Sequence, residues 1–89
     1  MAEEKGYNGW TNYETWLVAL WLDNERTSAE YWRDCAKHHS TYELSQQMKG
    51  EIEDGVPELD GFYADLLSAV LSEVNWMEIA RHYMEVVAQ

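Results

Sequence analysis

Apolar side chains recur every three or four residues along most of this 89-residue chain, and this spacing constrains its fold more than any other feature. The longest example extends from Leu59 to Val74 and has the width of a helix face that packs against a core. Its apolar members are Leu59, Phe62, Tyr63, Leu66, Leu67, Val70, Leu71 and Val74. No segment alternates polar and apolar residues as a half-buried strand does. The spacing therefore predicts an all-α domain without a sheet.

Three segments match the capping box, in which a Ser or Thr and a Glu three positions later satisfy the free amides of a helix start. They begin at Thr11, Thr27 and Ser40, and they predict helices over about 12–25, 27–38 and 41–53. Because the three boxes are well separated, each predicts a distinct short helix.

The break after the third predicted helix is the clearest one in the chain. Pro57 cannot continue a helix, and Gly55 suits a helix C-terminus. The long apolar segment that follows predicts a helix over about 60–73, and Asn75 is a typical cap for a last helix. The chain is therefore expected to form a compact bundle of four or five short helices.

Each predicted helix has an apolar stripe that is expected to face the core. In the first helix the stripe is Tyr13, Trp16, Leu17 and Leu20, with Trp21 at its edge and Val18 and Leu22 on flanking faces. In the other helices outside the long apolar segment the stripes are Tyr31, Trp32, Cys35 and Ala36; Tyr42, Leu44, Met48 and Ile52; and Trp76, Ile79, Ala80, Tyr83 and Val87. The first helix is apolar over most of its circumference, so we expect it to be the central one.

The length of the chain allows one hydrophobic core. We expect an irregular lead-in over residues 1–10 and a single helical domain over residues 11–89. Cys35 is the only cysteine, which excludes an internal disulfide and a Cys-based zinc finger and fits a reducing compartment. The apolar run Trp16–Leu22 is far too short to span a membrane, and no signal peptide is apparent. A cytoplasmic protein is therefore expected.

The charge of the chain is strongly negative and unevenly distributed. The net charge is −11, and no Lys or Arg occurs between Lys49 and Arg81. Such a field attracts basic surfaces and repels nucleic acids and anionic membranes. The candidate partner-binding residues form an acidic block of Glu51, Glu53, Asp54, Glu58, Asp60 and Asp65, with a second acidic site at Asp23 and Glu25. Acids in the first turn of a helix also have a simpler role in stabilising the helix dipole.

Catalytic and metal-binding chemistry finds little support in the sequence. Cys35 lies about one helical turn from His38 and His39, but no Gly-rich oxyanion loop or orienting carboxylate accompanies them. Adjacent histidines point about 100° apart on a helix, so the three residues make a poor zinc site. The acids of 23–25 and 51–54 lack the ligand spacing of a calcium loop. We therefore predict a non-enzymatic protein with no metal ligands and no cofactor.

Two parts of the sequence resemble a family of short, acidic, mostly uncharacterised proteins carried by phages, plasmids and other mobile elements. The first is Gly9–Glu25, GWTNYETWLVALWLDNE. The second consists of Gly61–Leu67, GFYADLL, and Leu71–Trp76, LSEVNW. Small acidic proteins of mobile elements are often counter-defence factors, so the resemblance implies an anti-CRISPR or antirestriction role in the cytoplasm of a bacterial host. It implies no catalytic residues.

Charge and resemblance together predict a DNA-mimicking inhibitor that binds the basic nucleic-acid channel of a CRISPR effector or, second, of a restriction enzyme. The expected partner is thus a basic protein surface rather than nucleic acid or membrane. The alternative is a helical interaction module of a phage or plasmid, either monomeric or dimeric. Its anchors would be exposed aromatic residues such as Tyr7, Trp10 or Trp21. Binding through charge is weakened by salt, whereas binding through aromatic anchors is not.

Overall fold

The computed structural model describes residues 6–88 and contains five α-helices within that range. They are α1 (Tyr13–Asn24), α2 (Arg26–Ala36), α3 (Thr41–Asp54), α4 (Gly61–Ser72) and α5 (Trp76–Val87). The prediction of an all-α bundle of four or five short helices is confirmed. Residues 1–5 of the predicted lead-in and residue 89 lie outside the described residues. None of the five helices is both long enough and apolar enough to cross a membrane.

Two of the four predicted helix caps are confirmed. Ser40 and Glu43 form the reciprocal capping box at the start of α3. At α5 the side chain of Asn75 accepts a hydrogen bond from the backbone amide of Glu78. Gly55 is the C-cap of α3, as its position before Pro57 predicts. The local sequence therefore determines both ends of α3 and the start of α5.

The other two predicted caps are wrong by one or two residues. Asn12, not Thr11, caps α1 by accepting a hydrogen bond from the Thr15 amide. The amide of Thr11 instead donates to the Glu78 carboxylate at 3.0 Å, so a tertiary contact replaces the local one. Glu25, not Thr27, caps α2, because α2 begins only two residues after α1 ends.

The centre of the core is α5 and not α1. Ile79, Ala80 and Tyr83 are almost completely inaccessible to solvent, and α5 packs against α1, α2 and α3. The expected stripe of α1 is wrong, because its fully buried positions are Thr15 and Ala19. These side chains are small, and the Thr15 hydroxyl accepts a hydrogen bond from the Asn75 amide at 2.8 Å. A close approach of α1 to the start of α5 therefore selects this face, and Tyr13, Leu20 and Trp21 are left exposed.

The predicted faces of α2, α3 and α5 are largely correct. The confirmed core residues of these helices are Trp32, Cys35, Ala36, Leu44, Met48, Trp76, Ile79, Ala80 and Tyr83. The aromatic residues Tyr31 and Tyr42, which begin two of the stripes, are exposed instead. An exposed position leaves a tyrosine hydroxyl free to meet water or a polar side chain.

The helix predicted to have the widest buried face is the one that buries no residue. Within the described chain, α4 contains no buried side chain and makes few contacts with the other helices. Of the eight apolar residues in this segment only Val74, which follows the helix, belongs to the core. Leu67, Val70 and Leu71 are half-buried. Since α5 is already covered by α1, α2 and α3, the chain offers α4 no second apolar layer.

The end of the lead-in is more regular than expected. Tyr7 and Trp10 exchange two backbone hydrogen bonds, of 2.7 and 2.9 Å, across Asn8 and Gly9. Both central residues have positive φ, as a type I′ hairpin turn requires. The ring of Tyr7 packs against Trp16, with 4.8 Å between centroids. The Asn-Gly pair was the sequence signal for this turn, and residues 6–12 are therefore an ordered part of the domain.

Candidate partner-binding surface

The six residues of the acidic block follow one another around the connection between α3 and α4. Glu51, Glu53 and Asp54 lie in the last turn of α3, and Glu58 and Asp60 lie in the connection. Asp65 is in the first half of α4. All six residues are exposed to solvent. The fold therefore keeps this sequence block at the surface, as the prediction requires.

The position of three of these acids opposes the dipole of α3. A helix C-terminus carries partial negative charge, so each carboxylate there costs up to about 0.3–1 kcal/mol relative to a favourable charge. The last turn of α3 contains no base, and among the five helices of the described chain only α2 has one, Arg33. Stabilisation of helix starts accounts for Glu14, Glu43 and Glu78. It does not account for the acids at the end of α3.

Glu51 differs from the rest of the block because it is held by neighbouring side chains. Its carboxylate accepts hydrogen bonds from the Tyr31 hydroxyl at 2.7 Å and from the Gln47 amide at 2.9 Å. The bond to Glu51, followed by desolvation, raises the pKa of Tyr31 to about 12. Glu51 therefore links α2 to α3 as well as contributing charge to the surface.

The second acidic site, Asp23 and Glu25, lies at the junction of α1 and α2 and serves the fold. The hydroxyl of Tyr83 donates to Asp23 Oδ1 at 2.6 Å, and His82 Nε2 lies 3.5 Å from Asp23 Oδ2. Burial, and then the bond to Asp23, raises the pKa of Tyr83. Glu25 caps α2 through the Ser28 amide. These two acids therefore have structural roles at the α1–α2 junction, whereas the acidic block surrounds the α3–α4 connection.

An open cavity of about 520 Å³ lies beside the acidic block, between the end of α3, the α3–α4 connection and α4. Its apolar lining includes Val56, Pro57, Leu59, Leu67 and Leu71, and Glu53 and Lys49 also line it. Acidic and apolar surface therefore meet at the same place on the molecule.

The outer side of α4 is also apolar. Phe62 is 71% exposed, Tyr63 61% and Leu66 52%, and Leu59 just before the helix is 42% exposed. We call these four residues the α4 apolar surface. The prediction that they face the core is wrong, because spacing identifies an apolar face but not whether the chain covers it. The one charged residue of α4, Asp65, was the sequence feature that could have indicated an exposed face.

Two of the three aromatic residues expected to anchor an interaction module already pack against other side chains of the protein. Tyr7 packs on Trp16 and on Tyr13, and Trp10 is half-buried against the core with its ring near His82. Trp21, which is 66% exposed on α1, remains accessible. Among the described residues, the aromatic side chains that are more than half exposed are therefore Trp21 on α1, Tyr42 on α3, and Phe62 and Tyr63 on α4.

The residues considered for catalysis lie in the last turn of α2 or just after it, and each of them contacts a neighbouring group there. Cys35 is buried and its sulfur accepts a hydrogen bond from Gln47 at 3.4 Å. His39 Nδ1 lies 2.8 Å from the Cys35 carbonyl oxygen, and His38 lies 4.0 Å from Asp34. Within residues 6–88, no three His, Cys, Asp or Glu side chains are grouped to hold a metal ion. The Cys35 thiol and the two imidazoles do not form a site together.

The two parts of the sequence that carry the family resemblance meet in space. The Asn12 side chain donates to the Glu73 carbonyl at 2.7 Å, and the Asn75 amide donates to the Thr15 hydroxyl. The Asn75 side chain also lies 3.4 Å from the Thr11 hydroxyl. We call these contacts the α1–α5 clasp. Its residues hold the chain together across sixty or more positions, so the resemblance is carried largely by structural residues.

No curated protein and no solved structure matches the chain. A family model does match, over residues 3–88, and thus includes both the α1–α5 clasp and the acidic block. The chain therefore belongs to a family of unknown function (DUF7249).

Proposed function

We propose that the protein is a non-enzymatic inhibitor that binds a basic nucleic-acid channel through the acidic block, in the place of a phosphate backbone. The observation that carries the proposal is the group of exposed carboxylates at the end of α3. They oppose the helix dipole and have no basic residue in their own turn. Charges that cost the fold stability are best accounted for by binding, where a Lys- and Arg-lined surface compensates for them.

The spacing of these carboxylates suits such a role. Glu51 and Asp54 are three positions apart on α3, which places neighbouring side chains roughly 5–6 Å from each other. Charges separated by a few ångströms resemble those along a nucleic-acid strand. A rigid helix end with this charge density can therefore compete with DNA for a basic groove.

The proposed targets are a CRISPR effector first and a restriction enzyme second, both in the cytoplasm of a bacterial host. This part of the proposal is supported by the resemblance to small acidic proteins of mobile elements. It is also supported by the net charge of −11, which steers the protein toward basic surfaces and away from nucleic acid itself.

The test is competition for DNA by the triple variant Glu53→Lys/Asp54→Lys/Glu58→Lys. Duplex DNA binding by purified CRISPR effectors and restriction enzymes is measured with increasing amounts of wild type or variant at low and high salt. A matched control, Glu30→Lys/Asp34→Lys/Glu85→Lys, raises the net charge equally with exposed acids outside the block. We expect only the first variant to lose competition. Equal competition by both variants would refute the phosphate-mimic function.

A second candidate function is a helical interaction module, and the exposed α4 apolar surface favours it. Binding through these side chains changes little between about 50 and 500 mM salt, whereas binding through the acidic block weakens steeply. The salt dependence of any complex therefore distinguishes the two functions. Sedimentation of the isolated protein determines whether the module is monomeric or dimeric.

A further inference from the structure

We infer that α4 is a docking site for a basic amphipathic helix of a partner protein, which places its apolar face on Phe62 and Leu66. This inference rests on the proposed binding function and specifies the chemistry of the partner. The acidic block would contact the basic flanks of that helix. The α4 apolar surface would supply contacts that charge alone does not provide.

The α4 apolar surface is larger than the isolated apolar side chains found on most monomers. Phe62 and Tyr63 are both more than half exposed, and an aromatic side chain can bury about 150–250 Å². Leu66 and Leu59 extend the surface along the helix and into the connection before it. Contiguous apolar patches of a few hundred Å² commonly mark interaction sites. A partner is therefore needed to cover a surface that the rest of the chain leaves in water.

The shape of the surface fits a helix. Phe62 is four positions and Tyr63 three positions before Leu66, so the three side chains are neighbours along one side of α4. Leu59, just before the helix, belongs both to the α4 apolar surface and to the lining of the cavity beside the α3–α4 connection. Helical partners bind such strips and grooves through side chains at three- and four-residue intervals.

The charge around the strip identifies the partner as basic. Glu58 and Asp60 precede α4, Asp65 lies within it, and residues 50–80 contain no Lys or Arg. A second copy of the chain would bring two strongly acidic segments together, and anionic lipid would be repelled in the same way. A helix with Lys or Arg beside its apolar face satisfies both features of the surface.

The probe is a synthetic amphipathic peptide of Leu and Lys, about 18 residues long and hence about five helical turns. Binding is measured by calorimetry and peptide helicity by circular dichroism. One comparison peptide has the same composition in scrambled order, and another replaces every Lys by Glu. We expect the patterned Leu/Lys peptide to bind and become helical, and the two comparison peptides to bind at least about tenfold more weakly. Equal binding of all three peptides would overturn the inference.

The variant Phe62→Ala/Leu66→Ala tests the site and keeps good helix formers in α4. Loss of two apolar anchors should weaken peptide binding by more than about tenfold. The control Trp21→Ala removes a similarly exposed aromatic residue from α1 and should leave the affinity unchanged. The single variant Leu66→Lys adds repulsion toward the basic peptide and should show the same loss as the double variant. Wild-type affinity in either α4 variant would overturn the inference.

These measurements separate the inference from the proposed function. If the α4 variants bind the peptide normally while the triple charge variant loses competition for DNA, the inference fails and the proposed function stands. If the α4 variants lose the peptide while the charge variant still competes for DNA, the proposed function fails and the docking site stands. A wild-type dimer that dissociates in Phe62→Ala/Leu66→Ala would overturn the choice of a basic partner.

Discussion

Replacing Tyr83 by Phe removes one hydroxyl from the centre of the structure and keeps the ring that fills it. Tyr83 is almost completely buried on α5, and its hydroxyl donates a short hydrogen bond to Asp23 at the end of α1. Asp23 is exposed on its other side and is also close to His82. The substitution therefore breaks one link between α1 and α5 without changing the volume of the core.

The expected cost follows from the kind of hydrogen bond. A bond to a charged acceptor contributes about 1.5–3 kcal/mol, and the lower value applies here because water can reach Asp23 once the hydroxyl is gone. For a domain of this size, 1 kcal/mol changes the melting temperature by about 4–8 °C. We therefore expect Tyr83→Phe to melt about 6–12 °C below wild type.

The same variant should also change the response of stability to alkaline pH. The pKa of Tyr83 is raised in the folded state by burial and by Asp23, so the folded protein retains this proton to higher pH than the unfolded chain does. The resulting stability is fully present below the ordinary tyrosine pKa of about 10 and is lost as the pH rises toward the folded value. Tyr31, whose pKa is raised to about 12, contributes in the same direction.

Urea denaturation followed by tryptophan fluorescence, at several pH values from 7 to about 11, measures both effects. The wild-type free energy of unfolding should be constant below about pH 10 and fall above it, and this fall should be smaller in Tyr83→Phe. Tyr42→Phe, at an exposed tyrosine, is the control and should match wild type throughout. A Tyr83→Phe protein with wild-type stability and an unchanged alkaline fall would show that the bond to Asp23 is not part of the fold.

Four further variants test other parts of the structure. Thr15→Val leaves a backbone amide without its buried acceptor and should cost about 1–3 kcal/mol in urea denaturation; a neutral result would contradict the α1–α5 clasp. Glu53→Lys/Asp54→Lys should raise the melting temperature, since each change improves the interaction with the α3 dipole by about 0.3–1 kcal/mol. A lower melting temperature would show that these two carboxylates do not oppose the dipole. Trp32→Ala should cost about 3–5 kcal/mol and half-buried Trp16→Ala clearly less, and the reverse order of urea midpoints would disprove the assigned core.

The faces of α2 and α5 could be predicted from the sequence because polar residues delimit them. In α5, for example, Ile79, Ala80 and Tyr83 share one side while Arg81 and Glu85 occupy the other. In α1 the apolar residues surround the helix, so spacing alone could not choose a face. The choice is made by Thr15, whose partner Asn75 is sixty residues away. Local patterns contain no information about such a contact.

The candidate site, like the helix faces, could be predicted from the sequence only in part. Exposure of the acidic block follows from its charge, since unpaired carboxylates are costly to bury. The structural role of Asp23 was not predictable, because its partner Tyr83 lies on another helix. The α4 apolar surface was missed for the opposite reason. Its residues follow the rule for core helices, and only the packing of α1, α2 and α3 around α5 leaves α4 without a covering layer.

The residues that hold the fold together and the exposed residues proposed to bind a partner lie in different parts of the molecule, so the two roles can be tested separately. Asn12, Asn75 and Thr15 hold α1 to α5, so substitutions there change stability and would alter any activity indirectly. Apart from Glu51, which links α2 to α3, the exposed acids at the end of α3 and the apolar residues on the outer side of α4 contribute little to the core and can be changed with little loss of stability. Loss of binding in such variants, without a fall in melting temperature, can therefore be assigned to the surface itself.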